Sequence, residues 1–419
     1  MTVPGWDKQP RRTRTRRKSP APKTGSCLQR IVPAGLVLVA VVGVVLLVLW
    51  YSEPILDAVD TWLAETPVAT QPTTRPRNAT PAVIITGDND ATGQIRPYFT
   101  TPDLIYPDQR TQRRAPQFER DLVADIDAAQ TSVDLATYEY NLASIAEALA
   151  RAEQRGVRVR TVLDGENGDS DASRAWLQIV ENAGITPIFE QTDSFMHSKF
   201  VVIDAALVWT GSWNMTTNET YRNNNNLLRI SAPELVDNYV NEFERLAAGL
   251  FLASEKDTGV TRQQIQLGAI TIENHFSPQD GAERYVVQRL LDAERSIEFM
   301  TFAFTSDPIG DAIRTRENAG VLVRGVFERR NTEATGSEYT RLRRAGAEVL
   351  TDGNCYTMHH KVIIIDGRIV ITGSYNFTSR ADRTNTENLL IIDDPVLAKA
   401  YQQEFRRVFA QAQNPTVCQ

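Results

Sequence analysis

The chain changes its pattern of apolar and polar positions in three places. Residues 33–51, from Pro33 to Tyr51, form an uncharged apolar run that ends in Trp50 and Tyr51. As a helix, a run of that length spans a bilayer core of roughly 30 Å, and aromatic residues favour the interface at its end. Residues 66–82 are rich in Pro and Thr and have little to bury, the composition of an extended spacer. From about residue 92, short apolar runs alternate with segments of helical apolar spacing. Val133–Tyr138 and Val157–Leu163 read as strands, and Leu142–Arg155 and Ala172–Ala183 as helices. Lys199–Asp204 and Leu207–Thr210 follow as strands, and Pro233–Phe251 as a closing helix. The same order returns from Ala282, through Ser296–Phe304, Val321–Phe327 and Lys361–Asp366, to a helix at Pro395–Ala412. This alternation predicts sheets covered by helices, an α/β architecture.

Charge gives the apolar run an orientation. Residues 1–30 hold nine Lys/Arg and one acid, Asp7, for a net +8; the whole chain is −7, which leaves −15 for the remainder. The positive-inside rule then places the N-terminus in the cytoplasm and everything after Tyr51 outside, as a single-pass protein of the cell membrane. A cleaved signal peptide is the rival reading, but its apolar core would be shorter, and no small-x-small site follows cleanly. The expected organisation is a basic cytoplasmic tail over 1–32, a transmembrane helix over 33–51 and a linker over 52–91. A first lobe over 92–254 and a second over 268–412 follow. The acidic remainder is a poor long-range attractor for nucleic acid, which needs many phosphate-facing cations. Three Cys make no metal or disulfide framework by count. Cys355 and Cys418 are either a disulfide or two free thiols.

The chemistry lies in a pattern that occurs twice. His197, Lys199, Asp204, Gly211, Ser212 and Asn214 recur as His359, Lys361, Asp366, Gly373, Ser374 and Asn376, each 162 positions later. Met196–Ile230 aligns with Met358–Ile392 without a gap, with 16 of 35 positions identical. Upstream, Ser132–Leu135 matches Ser296–Phe299 at an offset of 164. A self-match of this period marks a duplicated domain rather than a short solenoid unit. His and Lys two apart share one face of a strand. A neutral imidazole is a nucleophile near pH 7, and an imidazolium is an acid. Lys supplies a positive charge for a phosphate oxygen, and Ser and Asn supply neutral donors. Gly211 and Gly373 let the backbone turn tightly before those donors. Two copies of this kit point to one phosphate-diester site made from two halves. No His-Glu-x-x-His, paired Cys or dense acidic cluster accompanies either copy, so neither a metal nor another cofactor is expected.

The chain resembles the phospholipase D superfamily, whose signature is this twice-occurring His-Lys-Asp motif. The likeness covers roughly residues 95–412, with both motifs complete. It implies two pseudo-symmetric lobes, each a mixed β-sheet flanked by helices, around a single active site. It also implies metal-independent cleavage through a phosphohistidine. One His would attack phosphorus while the other protonates the leaving alcohol and then activates water. Lys199, Lys361, Asn214 and Asn376 would bind phosphate oxygens, with Ser212 and Ser374 assigned to the same role. Asp204 and Asp366 would be structural supports.

The residue 28 positions beyond each His differs: Asn225 in the first repeat, Glu387 in the second. A carboxylate beside an imidazole favours its charged form, whereas an amide orients the ring without that effect. With Asn225 orienting the imidazole of the first repeat and Glu387 that of the second, His197 stays neutral and attacks while His359 starts protonated and acts as the acid. Asn225 also lies in the run Asn223–Asn226, where it would cap a turn. His360 should point away from the site as a structural or surface residue. Phe195 and Tyr356 either line the cleft mouth or pack in the core. The membrane anchor and acidic surface favour phospholipid head groups as substrate, with the membrane as partner and no obligate protein partner. An extracytoplasmic nuclease and a phosphatidyltransferase remain the alternatives.

Overall fold

The computed structural model describes residues 93–100, 106–167, 170–251, 262–415 and 418. The expected basic tail, transmembrane helix and linker lie outside these residues. Among the described residues, no helix is long and apolar enough to cross a membrane.

The first lobe holds strands β1 (Ile95–Phe99), β2 (Ser132–Thr137), β3 (Arg158–Asp164), β4 (Ile188–Glu190), β5 (Phe200–Ile203), β6 (Leu207–Gly211) and β7 (Asn226–Ile230). They form a seven-stranded sheet in the order β1-β7-β6-β5-β2-β3-β4. The second lobe holds β8 (Gln264–Leu267), β9 (Ile270–Ser277), β10 (Ser296–Thr301), β11 (Leu322–Phe327), β12 (Glu348–Thr351), β13 (Lys361–Ile365), β14 (Ile369–Gly373) and β15 (Glu387–Asp393). These give an eight-stranded sheet in the order β12-β11-β10-β13-β14-β15-β9-β8. Both sheets are mixed. β2 pairs parallel with β3 and antiparallel with β5, and β10 does the same with β11 and β13. The helix-connected parallel strands follow from the alternating pattern. β1, β4, β7, β8, β9, β12, β14 and β15 are further strands that the sequence analysis does not place.

Each motif Asp closes its own lobe. Asp204, at φ 53°, follows β5, and its carboxylate accepts from the backbone N–H groups of Gln130, Thr131 and Ser132 at 2.7–3.1 Å. Asp366, at φ 56°, accepts from Glu294, Arg295 and Ser296 at 2.7–3.0 Å. A short acidic side chain tolerates the left-handed turn and ties it to the start of β2 or β10. Both carboxylates lie at the strand end remote from the imidazoles, in a supporting position.

The two sheets share one core. Phe200, Tyr239 and Phe243 from the first lobe join Val362, Tyr401 and Phe405 from the second in one buried cluster. The helices Pro233–Ala247 and Pro395–Gln413 supply Tyr239, Phe243, Tyr401 and Phe405. Polar side chains then fix how the lobes meet. Asn226 donates to Thr372 Oγ1 at 2.6 Å and to Tyr401 Oη at 3.0 Å. Its counterpart Asn388 donates to Thr210 Oγ1 at 2.8 Å and Tyr239 Oη at 3.3 Å. Buried amides that find partners on the other lobe hold it in one orientation. A disulfide joins Cys355 to Cys418, tying the loop before His359 to the chain's C-terminal end.

Candidate active site

The lobes exchange backbone just before each His. His197 N–H donates to Thr386 O at 3.0 Å, and Thr386 N–H donates to Phe195 O at 2.9 Å. In the other half, His359 N–H donates to Asn224 O and Asn224 N–H to Thr357 O, both at 2.8 Å. Thr386 precedes Glu387, and Asn224 precedes Asn225. Each residue 28 positions beyond a His is therefore delivered to the His of the opposite lobe. Glu387 Oε2 lies 2.7 Å from His197 Nδ1, and Asn225 Oδ1 lies 3.1 Å from His359 Nδ1. The expectation that each repeat orients its own imidazole is corrected: the pairing is crossed. The reason is the pair of interlobe backbone bridges, which leave no trace in a single repeat. Asn225 is also more than a turn cap, since its side chain reaches the imidazole.

Crossing alone would give His359 an amide and no carboxylate. Glu219 fills that gap, with Oε2 3.3 Å from His359 Nδ1, and Asn225 Nδ2 donates to the same carboxylate. Glu219 stands opposite Ala381 in the repeat, as Asn225 stands opposite Glu387. Two departures from symmetry therefore compensate each other: a carboxylate absent at 225 is supplied from 219. That correlated pair of departures is the sequence signal for Glu219, which the motif reading missed.

The electrostatics separate the two imidazoles. Burial, then the positive charge of Lys199 and Lys361, holds His197 well below the usual imidazole range. Burial also lowers His359, to about 4, while Glu219 pulls it back upward. Glu219 stays ionised: against the cost of burial, His359 and Asn225 bring it down to about 2. Burial lifts Glu387 the other way, to about 8, against the pull of Lys199. His359 thus sits beside the firmly ionised carboxylate.

Lys199 and Lys361 converge on the same place. Both are buried, and each ammonium donates to the carbonyl of its own motif His, at 2.6 and 3.0 Å. Burial lowers Lys199 to about 8; burial and then Lys199 lower Lys361 to about 7. The rings of Tyr138 and Phe302 lie beneath the two ammonium groups at 5.2 and 4.9 Å. They also pack edge-on against His197 and His359. These aromatics match at the 164-residue offset, a further repeat signal that the motif reading did not use.

The serines have another task than the expected one. Ser212 Oγ donates to Asn225 Oδ1 at 2.9 Å and accepts from Asn226 N–H at 3.1 Å. Ser374 Oγ donates to Glu387 Oε2 at 2.6 Å and accepts from Asn388 N–H at 2.9 Å. A hydroxyl has one proton to give, and both serines spend it on the group that orients an imidazole. They are corrected from phosphate ligands to supports of the two His partners. Gly211 and Gly373 permit this arrangement, because a Cβ there would meet the carbonyl oxygen of Asn226 or Asn388 at 2.2 Å. Asn214 and Asn376 follow the serines, and each has a buried Oδ1 with no hydrogen-bond partner. Asn214 Nδ2 donates to Glu139 at 3.1 Å, a second carboxylate that the motif reading missed.

His360 points away from this centre. It is buried between Asn226 and Glu404, both at 3.1 Å, and acts as an interlobe strut. Phe195 and Tyr356 are half-buried. Arg380 lies over Phe195 at 4.1 Å and Arg222 over Tyr356 at 5.3 Å.

Comparison with known proteins places the chain in a family. The family described as "Cardiolipin synthase, PLD-like domain" matches residues 122–247 and 286–409, one segment in each lobe. A mitochondrial cardiolipin hydrolase of Xenopus tropicalis is 42% identical over 130 residues, 31% of this chain and 62% of that relative. The chain therefore spans less than two thirds of that relative's own length. A phospholipase D of Rickettsia conorii is 34% identical over 160 residues, 37% of this chain and 80% of that relative. In fold, the crystal structure of phosphatidylserine synthase from Haemophilus influenzae superposes with a TM-score of 0.55 at 15% identity, over 71% of this chain and 85% of that one. With both histidine motifs inside the matched segments, the chain belongs to the phospholipase D superfamily.

Proposed function

We propose that the chain is a phosphodiester hydrolase that cleaves phospholipid head groups through a phosphohistidine. The observation that carries this reading is the pair of buried imidazoles, each held through Nδ1 by a group from the opposite lobe. Nε2 is then the reacting nitrogen on both rings. His197, kept neutral by burial and two lysines, attacks phosphorus. The bond from phosphorus to the head-group oxygen breaks, and that oxygen takes its electron pair and a proton from His359. Lys199, Lys361, Asn214 and Asn376 hold the non-bridging oxygens as charge shifts onto them. His359 next removes a proton from water, and the resulting hydroxide displaces His197 from phosphorus. Phosphatidic acid and free enzyme remain.

His359 must carry a proton when substrate is bound. The ionised Glu219 beside it supplies the stabilisation, and the incoming phosphate adds to it. His359 therefore remains the proposed acid, but on the strength of Glu219 rather than Glu387.

Lipid as substrate is supported by the names of the relatives, by the acidic surface and by the apolar run at 33–51, which we propose anchors the enzyme at the membrane with its lobes outside. The test is a parallel assay of the full-length chain, in EDTA, on phosphatidylethanolamine vesicles and on single-stranded DNA. Release of phosphatidic acid with DNA intact is expected. Cleavage of DNA alone overturns the lipid reading in favour of a nuclease. Formation of phosphatidylglycerol on adding glycerol assigns transfer in place of hydrolysis.

A further inference from the structure

Glu139 breaks the symmetry of the site at the place where substrate must lie. It follows Tyr138, whose ring packs on His197 at 4.9 Å, and its counterpart in the second lobe is Ala303. Its carboxylate accepts from Asn214 Nδ2 at 3.1 Å. Among the described residues, no carboxylate bonds to Asn376, the matching amide. Glu139 is half-buried, unlike Glu387 and Glu219, which are fully enclosed. Burial and the nearby charge of Glu219 raise its pKa, and both lysines act on it as well. It therefore lies in the same electrostatic field as the motif residues, with part of its surface open.

Next to a phosphate seat, an additional negative charge repels the substrate. Such a group is useful where the substrate brings a hydrogen-bond donor to meet it, because a carboxylate accepts and cannot donate.

We infer that Glu139 is a specificity-determining residue, accepting a hydrogen bond from a hydroxyl or ammonium group carried on the leaving alcohol. Asn214, to which it is bonded, is a proposed phosphate ligand, and this puts Glu139 next to the phosphate and to a group carried on its leaving alcohol. The inference rests on the proposed roles of His197 and His359. It distinguishes head groups that bear an N–H or O–H donor from head groups that bear none. A site built to pair with a donor discriminates strongly against analogues that lack it.

The test compares native full-length protein with Glu139→Ala and Glu139→Gln. The substrates are vesicles of phosphatidylethanolamine, phosphatidylglycerol and phosphatidylethanol, together with the soluble diesters glycerophosphoethanolamine and glycerophosphoethanol. For Glu139→Ala, kcat/KM should fall by about tenfold or more further on the donor-bearing substrates than on the two ethanol esters. Glu139→Gln keeps an acceptor without the charge. It should retain the preference for glycerol over ethanol and lose most of that for ethanolamine. A merely structural role lowers all substrates together, and that uniform loss overturns the inference. So does an unchanged preference in Glu139→Ala. Activity on the soluble diesters with none on vesicles removes the lipid reading alone, and the soluble pair still decides the role of Glu139. A native protein inert on both sets overturns both.

Discussion

His197 Nδ1 lies 2.7 Å from Glu387 Oε2, although the two residues belong to opposite lobes. Neither lobe holds a complete catalytic imidazole by itself. The interface is therefore part of the site, and a change at a residue of one repeat acts on the His of the other.

This crossing yields a test by leaving group. Glu387→Gln disturbs the proposed nucleophile. It should cut kcat on the order of 10⁴-fold on every diester, as replacement of the carboxylate behind a catalytic His by its amide does elsewhere. Glu219→Gln disturbs the proposed acid. Its loss should be large on phosphatidylethanolamine and small on a p-nitrophenyl ester, whose leaving group needs no proton. Steady-state kinetics of both variants on both substrates checks the assignment. Equal losses for Glu219→Gln on the two substrates contradict it.

The lysines set the alkaline limit. With Lys361 at about 7 and Lys199 at about 8 in the free protein, raising pH neutralises first one ammonium and then the other. Attraction for the phosphate is lost in that order. A plot of kcat/KM against pH for a soluble diester should therefore fall between about pH 7 and 9. A flat profile across that range contradicts the buried, depressed ammonium groups.

What could be read from the chain divides along the duplication. The motif residues were legible because they repeat at a fixed offset, and their chemistry follows from residue type. Asp204 and Asp366 were legible as supports. The crossing was not, since pairing of Asn225 with His359 depends on backbone bridges between lobes and not on spacing within one. Ser212 and Ser374 were misread because a hydroxyl near a phosphate site has two possible duties; only the distances to Asn225 and Glu387 decide. Glu219 and Glu139 carry no motif. Their signal lies in asymmetry, a carboxylate in one repeat facing Ala381 or Ala303 in the other. Strands β7 and β15 were passed over because the polar residues at their starts, Asn226, Glu387 and Asn388, are turned to the interface and the site instead of to solvent.

The motif aspartates should govern acid stability. Against the cost of burial, three backbone N–H groups hold each of Asp204 and Asp366 below the ordinary carboxylate value. Their contribution is full above the unfolded pKa of about 3.9 and is lost as pH falls through the lower folded value. Asp366→Asn should cost about 1–3 kcal/mol at neutral pH, and that deficit should shrink below about pH 4. Urea denaturation of native and variant protein at pH 7 and pH 3 measures both. A deficit that does not change with pH contradicts the role of the charge.

The Cys355–Cys418 disulfide closes a 63-residue separation. Limiting the unfolded chain in this way stabilises a fold by about 2–4 kcal/mol. Cys418→Ser should lower the free energy of unfolding by that amount. An unchanged urea midpoint would show that the bridge adds no stability.

The central claim is that His197 is the nucleophile and His359 the acid. It is tested most directly by rapid acid-free quenching of the full-length protein during turnover, followed by mass spectrometry of its peptides. The account predicts a phosphorus adduct on His197 that is absent from His197→Ala and, with a p-nitrophenyl ester as substrate, still forms when His359 is replaced by Ala. An adduct on His359, or one that persists in His197→Ala, contradicts it.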